Sequence, residues 1–113
     1  MQIGVMNNPF KKLLPQIHWI GENGFDYIDL AVEPPLTLNR EMDCQAIRKA
    51  ADLYNLDIVI HTSPHLPLAD RHLKKRQAAW TELLNTIKFA QDLGSPLVAV
   101  HYLGAPAFYS FHK

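Results

Sequence analysis

Asp57-Ile58-Val59-Ile60-His61-Thr62-Ser63-Pro64-His65 is a short apolar run that ends on a histidine and then breaks. Its β-branched centre reads as a strand buried on both faces. His61 stands where the strand stops, and Pro64 forbids simple continuation. A near copy follows in Pro96-Leu97-Val98-Ala99-Val100-His101-Tyr102-Leu103-Gly104. Two buried strands, each delivering a histidine at its C-terminal end, organise the reading of the rest.

Working outward, Gln2 to Met6 is a strand candidate closed by the turn-forming Asn7-Asn8-Pro9. Pro15 fits the first position of a helix whose apolar face is Leu14, Ile17 and Ile20, with Gly21 or Gly24 as the stop. Phe25 to Val32 is a second strand, ended by Glu33-Pro34-Pro35. Asn39 suits the cap of a second helix with the stripe Cys44, Ile47, Ala51 and Tyr54, closed by Asn55 in a left-handed conformation. Ile58 to His61 is the third strand. Asp70 is expected to cap the longest helix, which ends at Gly94 and buries Leu73, Trp80, Leu83, Leu84, Ile87 and Ala90. Leu97 to His101 is the fourth strand. The remainder, 105–113, has no helical period.

Strict alternation of strand and helix with short connections predicts right-handed βαβ units and a parallel sheet. A doubly wound sheet would show a glycine-rich turn after its first strand; here that turn is Asn7-Asn8-Pro9-Phe10. A barrel instead gathers polar residues at the C-terminal ends of successive strands around one mouth. Asn7 or Asn8, Glu33, His61 and His101 occupy those four places. The expected fold is therefore α/β, with parallel (β/α) units forming the first half, four strands, of a TIM barrel. It makes one truncated domain over 1–113, because a full barrel takes about 250 residues and eight strands.

The bulk composition agrees with one globular unit: 113 residues, 48% hydrophobic and 19% charged. Eleven basic residues balance eleven acidic ones, which argues against strong non-specific attraction to nucleic acid or to an anionic membrane. Cys44 is the single cysteine, so no internal disulfide is possible and a reducing, cytoplasmic location is expected. No basic leader or membrane-spanning run is read in the sequence.

Ile58-Val59-Ile60-His61-Thr62-Ser63-Pro64-His65-Leu66-Pro67-Leu68-Ala69, together with Gly94-Ser95-Pro96-Leu97-Val98-Ala99-Val100-His101, resembles the xylose isomerase-like barrels. This superfamily includes sugar and sugar-phosphate isomerases and epimerases and endonuclease IV-type enzymes. Gly24-Phe25-Asp26-Tyr27-Ile28-Asp29-Leu30-Ala31-Val32-Glu33 also looks like the family's second strand, which carries a carboxylate. The resemblance spans nearly the whole chain and the N-terminal half of the family's barrel. In the endonuclease IV-like branch it implies that His61 and His101 are metal ligands. In the epimerase branch the metal ligands come almost wholly from the later strands.

Each candidate has a plainer alternative. His61 and His101 suit zinc, manganese or a similar divalent metal as neutral imidazoles; singly, either is better explained as a strand-end histidine satisfied by backbone, and it is the pair in matching places that favours a site. Glu33 is a candidate ligand, catalytic base or substrate clamp, or else a loop carboxylate beside two prolines. His65 is a minor candidate, and Ser63 is too generic to mark a nucleophile. Cys44 and Trp80 read as core, His18 and His72 as helix surface, and Phe10 and Trp19 as possible flanks of the mouth. Arg71, Lys74, Lys75 and Arg76 form either a solvated face or a phosphate contact.

The first functional expectation is a sugar or sugar-phosphate isomerase/epimerase-like domain, incomplete in this chain, with Glu33 catalytic, His61 and His101 on metal, and a divalent metal only if a complete site is assembled. The second is an endonuclease IV-like metal-dependent phosphodiesterase fragment. The third is a non-catalytic binding or structural remnant. Four strands leave two open edges and an unfilled inner face. The chain is therefore a truncated product, as its aperiodic tail favours, or one half of a homodimer, or one half of a barrel completed by a different partner chain. Its expected small-molecule partner is a sugar or sugar phosphate rather than nucleic acid.

Overall fold

The structure, a computed structural model, describes residues 1–38 and 42–101. Along these residues run β1 (Gly4–Met6), α1 (Leu13–Glu22), β2 (Tyr27–Val32), α2 (Cys44–Leu53), β3 (Asp57–Thr62), α3 (Leu73–Leu93) and β4 (Val98–Ala99). The strands form one sheet in the order β1-β2-β3-β4, with every neighbouring pair parallel. This is the predicted α/β half barrel, and its sheet is open.

Alternation along the strands separates two faces. Ile28, Leu30 and Val32 of β2 join Ile58 and Ile60 of β3 in a core completed by Ile17, Ile20, Ile47, Ala51, Phe89 and Leu93 from the helices. Ile28, Leu30, Ile58 and Ile60 are almost wholly inaccessible, and burying each such side chain stabilises by about 1.5–3 kcal/mol. The opposite face carries Tyr27, Asp29 and Ala31 of β2 and Asp57, Val59 and His61 of β3. Among the described residues no helix covers it.

Arg48 of α2 ties the helical layer together. It donates to the carbonyls of Leu93, at the end of α3, and Leu56, and pairs with Asp52 one turn on. A cation at the C-terminus of α3 also suits that helix's exposed carbonyls.

Several expectations change in detail. β1 and β4 are shorter than read; just ahead of β1, Ile3 still pairs with Asp26, its carbonyl accepting from Asp26 N–H and its own N–H donating to the Asp26 carboxylate. β3 runs one residue further at each end. α1 starts at Leu13, so Pro15 sits inside the first turn, and Leu13 rather than Leu14 is buried. The α2 cap is Asp43, whose Oδ1 accepts from the backbone N–H groups of Gln45 and Ala46; Asn39 lies outside the described residues. His72 occupies the N-cap position of α3 without a side-chain hydrogen bond to the helix, while Asp70 accepts from the His72 N–H and turns the chain just before it. Asn55 and Gly94 take the left-handed conformations expected of them.

The largest correction concerns the face of α3. Ala79, Leu83, Thr86, Phe89, Ala90 and Leu93 are buried, whereas Leu73, Trp80, Leu84 and Ile87 are exposed. Phe89, Ala90 and Leu93 join the sheet core, the small Ala90 allowing close approach and Phe89 supplying bulk, while Ala79 and Leu83 pack against Leu68 of the β3–α3 loop. Shape, not hydrophobicity alone, chose the buried side. Trp80 donates its indole N–H to the Leu68 carbonyl, holding the β3–α3 loop against the helix. The tail at 105–113 lies outside the described residues.

Candidate functional site

In a parallel α/β sheet, functional side chains gather beyond the C-terminal strand ends. Here the loops at that end are fixed by buried polar groups. The Asn7 side-chain oxygen accepts from Ala31 N at 2.7 Å, continuing the β1–β2 pairing through a side chain. Thr37, fully buried, donates its hydroxyl to the carbonyls of Ala31 and Glu33. Glu33 and Thr37 also pair through their backbones, and Leu36 N donates to Pro9 O. Glu33 is thereby held at the end of β2, before a turn through Pro34 and Pro35.

One step below the mouth lies Asp29, a carboxylate in the middle of β2. His61 Nδ1–H donates to both Asp29 carboxylate oxygens, at 3.1 and 3.2 Å. That bond fixes the imidazole tautomer and leaves the lone pair on Nε2. His61 Nε2 is directed at His101 Nε2, which it meets closely, with ring centroids 4.5 Å apart. His61 and Asp29 are only 21% and 27% exposed at their side chains, so solvent screens this pair weakly.

Glu33 belongs to a neighbouring group at the mouth. Its Oε1 accepts from the Ser63 hydroxyl at 3.4 Å and lies 3.6 Å from His65 Nε2. The Ser63 oxygen in turn accepts from His65 N. Ser63 thus orients a carboxylate and a loop, donating its hydroxyl proton to Glu33. The structure brings His61 and His101 together and sets Glu33 with Ser63 and His65 at the same end of the sheet. Among the described residues no group of three or more His, Cys, Asp or Glu side chains is arranged to hold a metal ion.

Asp29 was missed by the strand-end reading. Its signal was an acidic residue inside an otherwise apolar strand, on the inward side of the alternation. Other residues correct the expectations. His18 is half-buried and its Nδ1 lies 2.8 Å from the Tyr54 hydroxyl, clasping α1 to α2. Trp19 stacks near Phe25, before the start of β2, and so lies away from the mouth. Cys44 packs only partly into the core, and burial pushes its thiol pKa up, with the nearby Asp92 and Asp43 charges adding to the shift.

As donors, the two Nε2 atoms suit a borderline divalent metal, and the Asp29–His61 bond is the kind of outer contact that orients metal-binding histidines. Two nitrogens remain fewer than the three or so protein ligands of a catalytic zinc. No helix among the described residues is long and apolar enough to cross a membrane. Neither the curated proteins nor the solved structures compared with the chain include a match. A family model described as the xylose isomerase-like TIM barrel matches residues 17–109, and the chain belongs to that family.

Proposed function

We propose that the chain supplies the N-terminal half of a metal-assisted sugar or sugar-phosphate isomerase/epimerase site. The observation that carries this reading is the convergence of His61 Nε2 and His101 Nε2, with His61 locked from behind by Asp29. His61 and His101 would hold a divalent metal, which when bound polarises the carbonyl and adjacent hydroxyl of a ketose. Glu33, at the rim, is the group placed to take up and return the proton on the carbon between them. Ser63 keeps its carboxylate pointed by donating to Oε1. Lys74, Lys75 and Arg76 begin α3 after the loop that leaves the C-terminal end of β3, the end at which the site lies, and suit a substrate phosphate.

The test is proton exchange. The chain, loaded with Mn²⁺ or Zn²⁺, is incubated in D₂O with a panel of ketoses and ketose phosphates and followed by NMR. Exchange at the carbon next to the carbonyl above a metal-only control, lost in Glu33→Gln, is the expected result. Absence of exchange from chain shown to hold metal overturns the reading. A second reading, metal-dependent phosphodiester cleavage, is favoured by the all-nitrogen donor pair, because the endonuclease IV-like branch places histidines at these strand ends. Cleavage of abasic-site DNA by the metal-loaded chain, without ketose exchange, would select it.

A further inference from the structure

Among the described residues both edges of the sheet stand open: β1 pairs only with β2, and β4 only with β3. Each edge presents unpaired backbone donors and acceptors, which a β-strand satisfies. Apolar side chains flank both: Ile3 and Met6 at the β1 edge, Leu97 and Val100 at the β4 edge, each 44–56% exposed. The inner face between the edges carries Asp29 and His61 with no covering element among the described residues.

From this we infer that the chain associates with a second copy of itself, β4 of each copy pairing in parallel with β1 of the other. A two-fold axis along the barrel axis keeps all eight strands parallel and satisfies both edges of both copies at once. A single foreign strand would satisfy only one edge. Eight strands also make a barrel whose interior side chains can fill, whereas twelve would leave a lumen. The formal charge of zero opposes no self-association. Resting on the metal reading above, the pairing also completes the site: His61 and His101 from each copy give four nitrogens around one mouth, where one copy offers two. The association closes and stops at two chains, because the two-fold leaves no edge for a third.

The test is mass in solution, read by sedimentation or light scattering on the full chain at micromolar concentration. The expected mass is twice the 12.9 kDa of one chain. Leu97→Lys places a charge on the inner side of the β4 edge, and Val100→Pro disables edge pairing. Both positions are exposed, so far-UV circular dichroism should be unchanged while each variant falls to the mass of one chain. A wild-type mass of one chain overturns the inference. So does a mass that grows without limit as concentration rises, or a dimer that survives both variants. A His61→Ala/His101→Ala double variant that stays dimeric but loses bound Zn²⁺ supports the pairing and the metal reading alike. One that stays dimeric and still binds Zn²⁺ as before supports the pairing while overturning the metal reading.

Discussion

At the residue scale the decisive side chain is Asp29. Its carboxylate accepts from His61 Nδ1–H through both oxygens, so Nε2 is aimed and its tautomer set before any ligand arrives. Replacing Asp29 with Asn removes the charge and half of the acceptor capacity while conserving volume. Zinc affinity measured by calorimetry should then fall about 10–100-fold, the usual cost of losing such an outer contact, with the fold intact by circular dichroism. The histidines themselves were legible because each closes an apolar strand, a position that needs no third dimension to recognise. Asp29 was not, because its importance comes from lying diagonally beneath His61 in the register that sets Ala31 opposite His61. Cys44 gives a second residue-scale prediction. Burial first, then Asp92 and Asp43, raise its thiol pKa in the folded chain. Folding therefore favours the protonated thiol, a contribution present below the unfolded thiol pKa and lost as pH rises through the folded value. Alkylation by iodoacetamide in mildly alkaline buffer should be slower for the native chain than for the urea-unfolded chain, and Asp92→Asn should move its onset to lower pH.

At the scale of elements, the type and order of every helix and strand could be read, since the apolar periods are clean and Gly94 and Asn55 mark helix ends. Caps and faces were less legible. Asp43, Asn39, Asp70 and His72 all precede helical turns, and only the geometry of the entering loop decides which one caps. At α2 it is Asp43, which satisfies two otherwise orphaned N–H groups. Asp43→Ala should lower unfolding free energy by about 1 kcal/mol in urea titration, and Asp43→Asn by clearly less. Gly94 closes α3 at φ +71° with nothing near the place a Cβ would occupy. Gly94→Ala therefore costs the left-handed conformation alone, about 1 kcal/mol. Gly21 contrasts with it, because a Cβ there meets the Tyr54 ring in the clasp between α1 and α2. Gly21→Ala should be the more destabilising of the two, by about 1–3 kcal/mol, as the ring must move. The face of α3 failed because two apolar stripes lie about a residue's rotation apart on that helix, and the choice between them depends on the shape of the sheet beneath.

At the scale of the molecule, four parallel strands with helices on one side were legible from alternation alone, and so was the openness that follows from the number four. What covers the inner face is not a local property. Among the described residues nothing covers the second face, and one sheet covered on a single side buries less apolar surface than a closed barrel of the same strands. If a second copy closes it, folding and association are linked, and the midpoint of thermal unfolding must rise with protein concentration. A tenfold concentration series by calorimetry or circular dichroism reads this directly. The wild-type midpoint should climb across the series, while Leu97→Lys, confined to one chain, should unfold at a lower and concentration-independent temperature. Zn²⁺ adds an independent shift for any form that binds it, amounting to about 2.7 kcal/mol when the free ion stands at a hundred times its dissociation constant. In the His61→Ala/His101→Ala double variant the zinc shift should vanish while the concentration dependence stays. The two responses separate because the histidines lie on the inner face and the pairing groups lie along the strand edges.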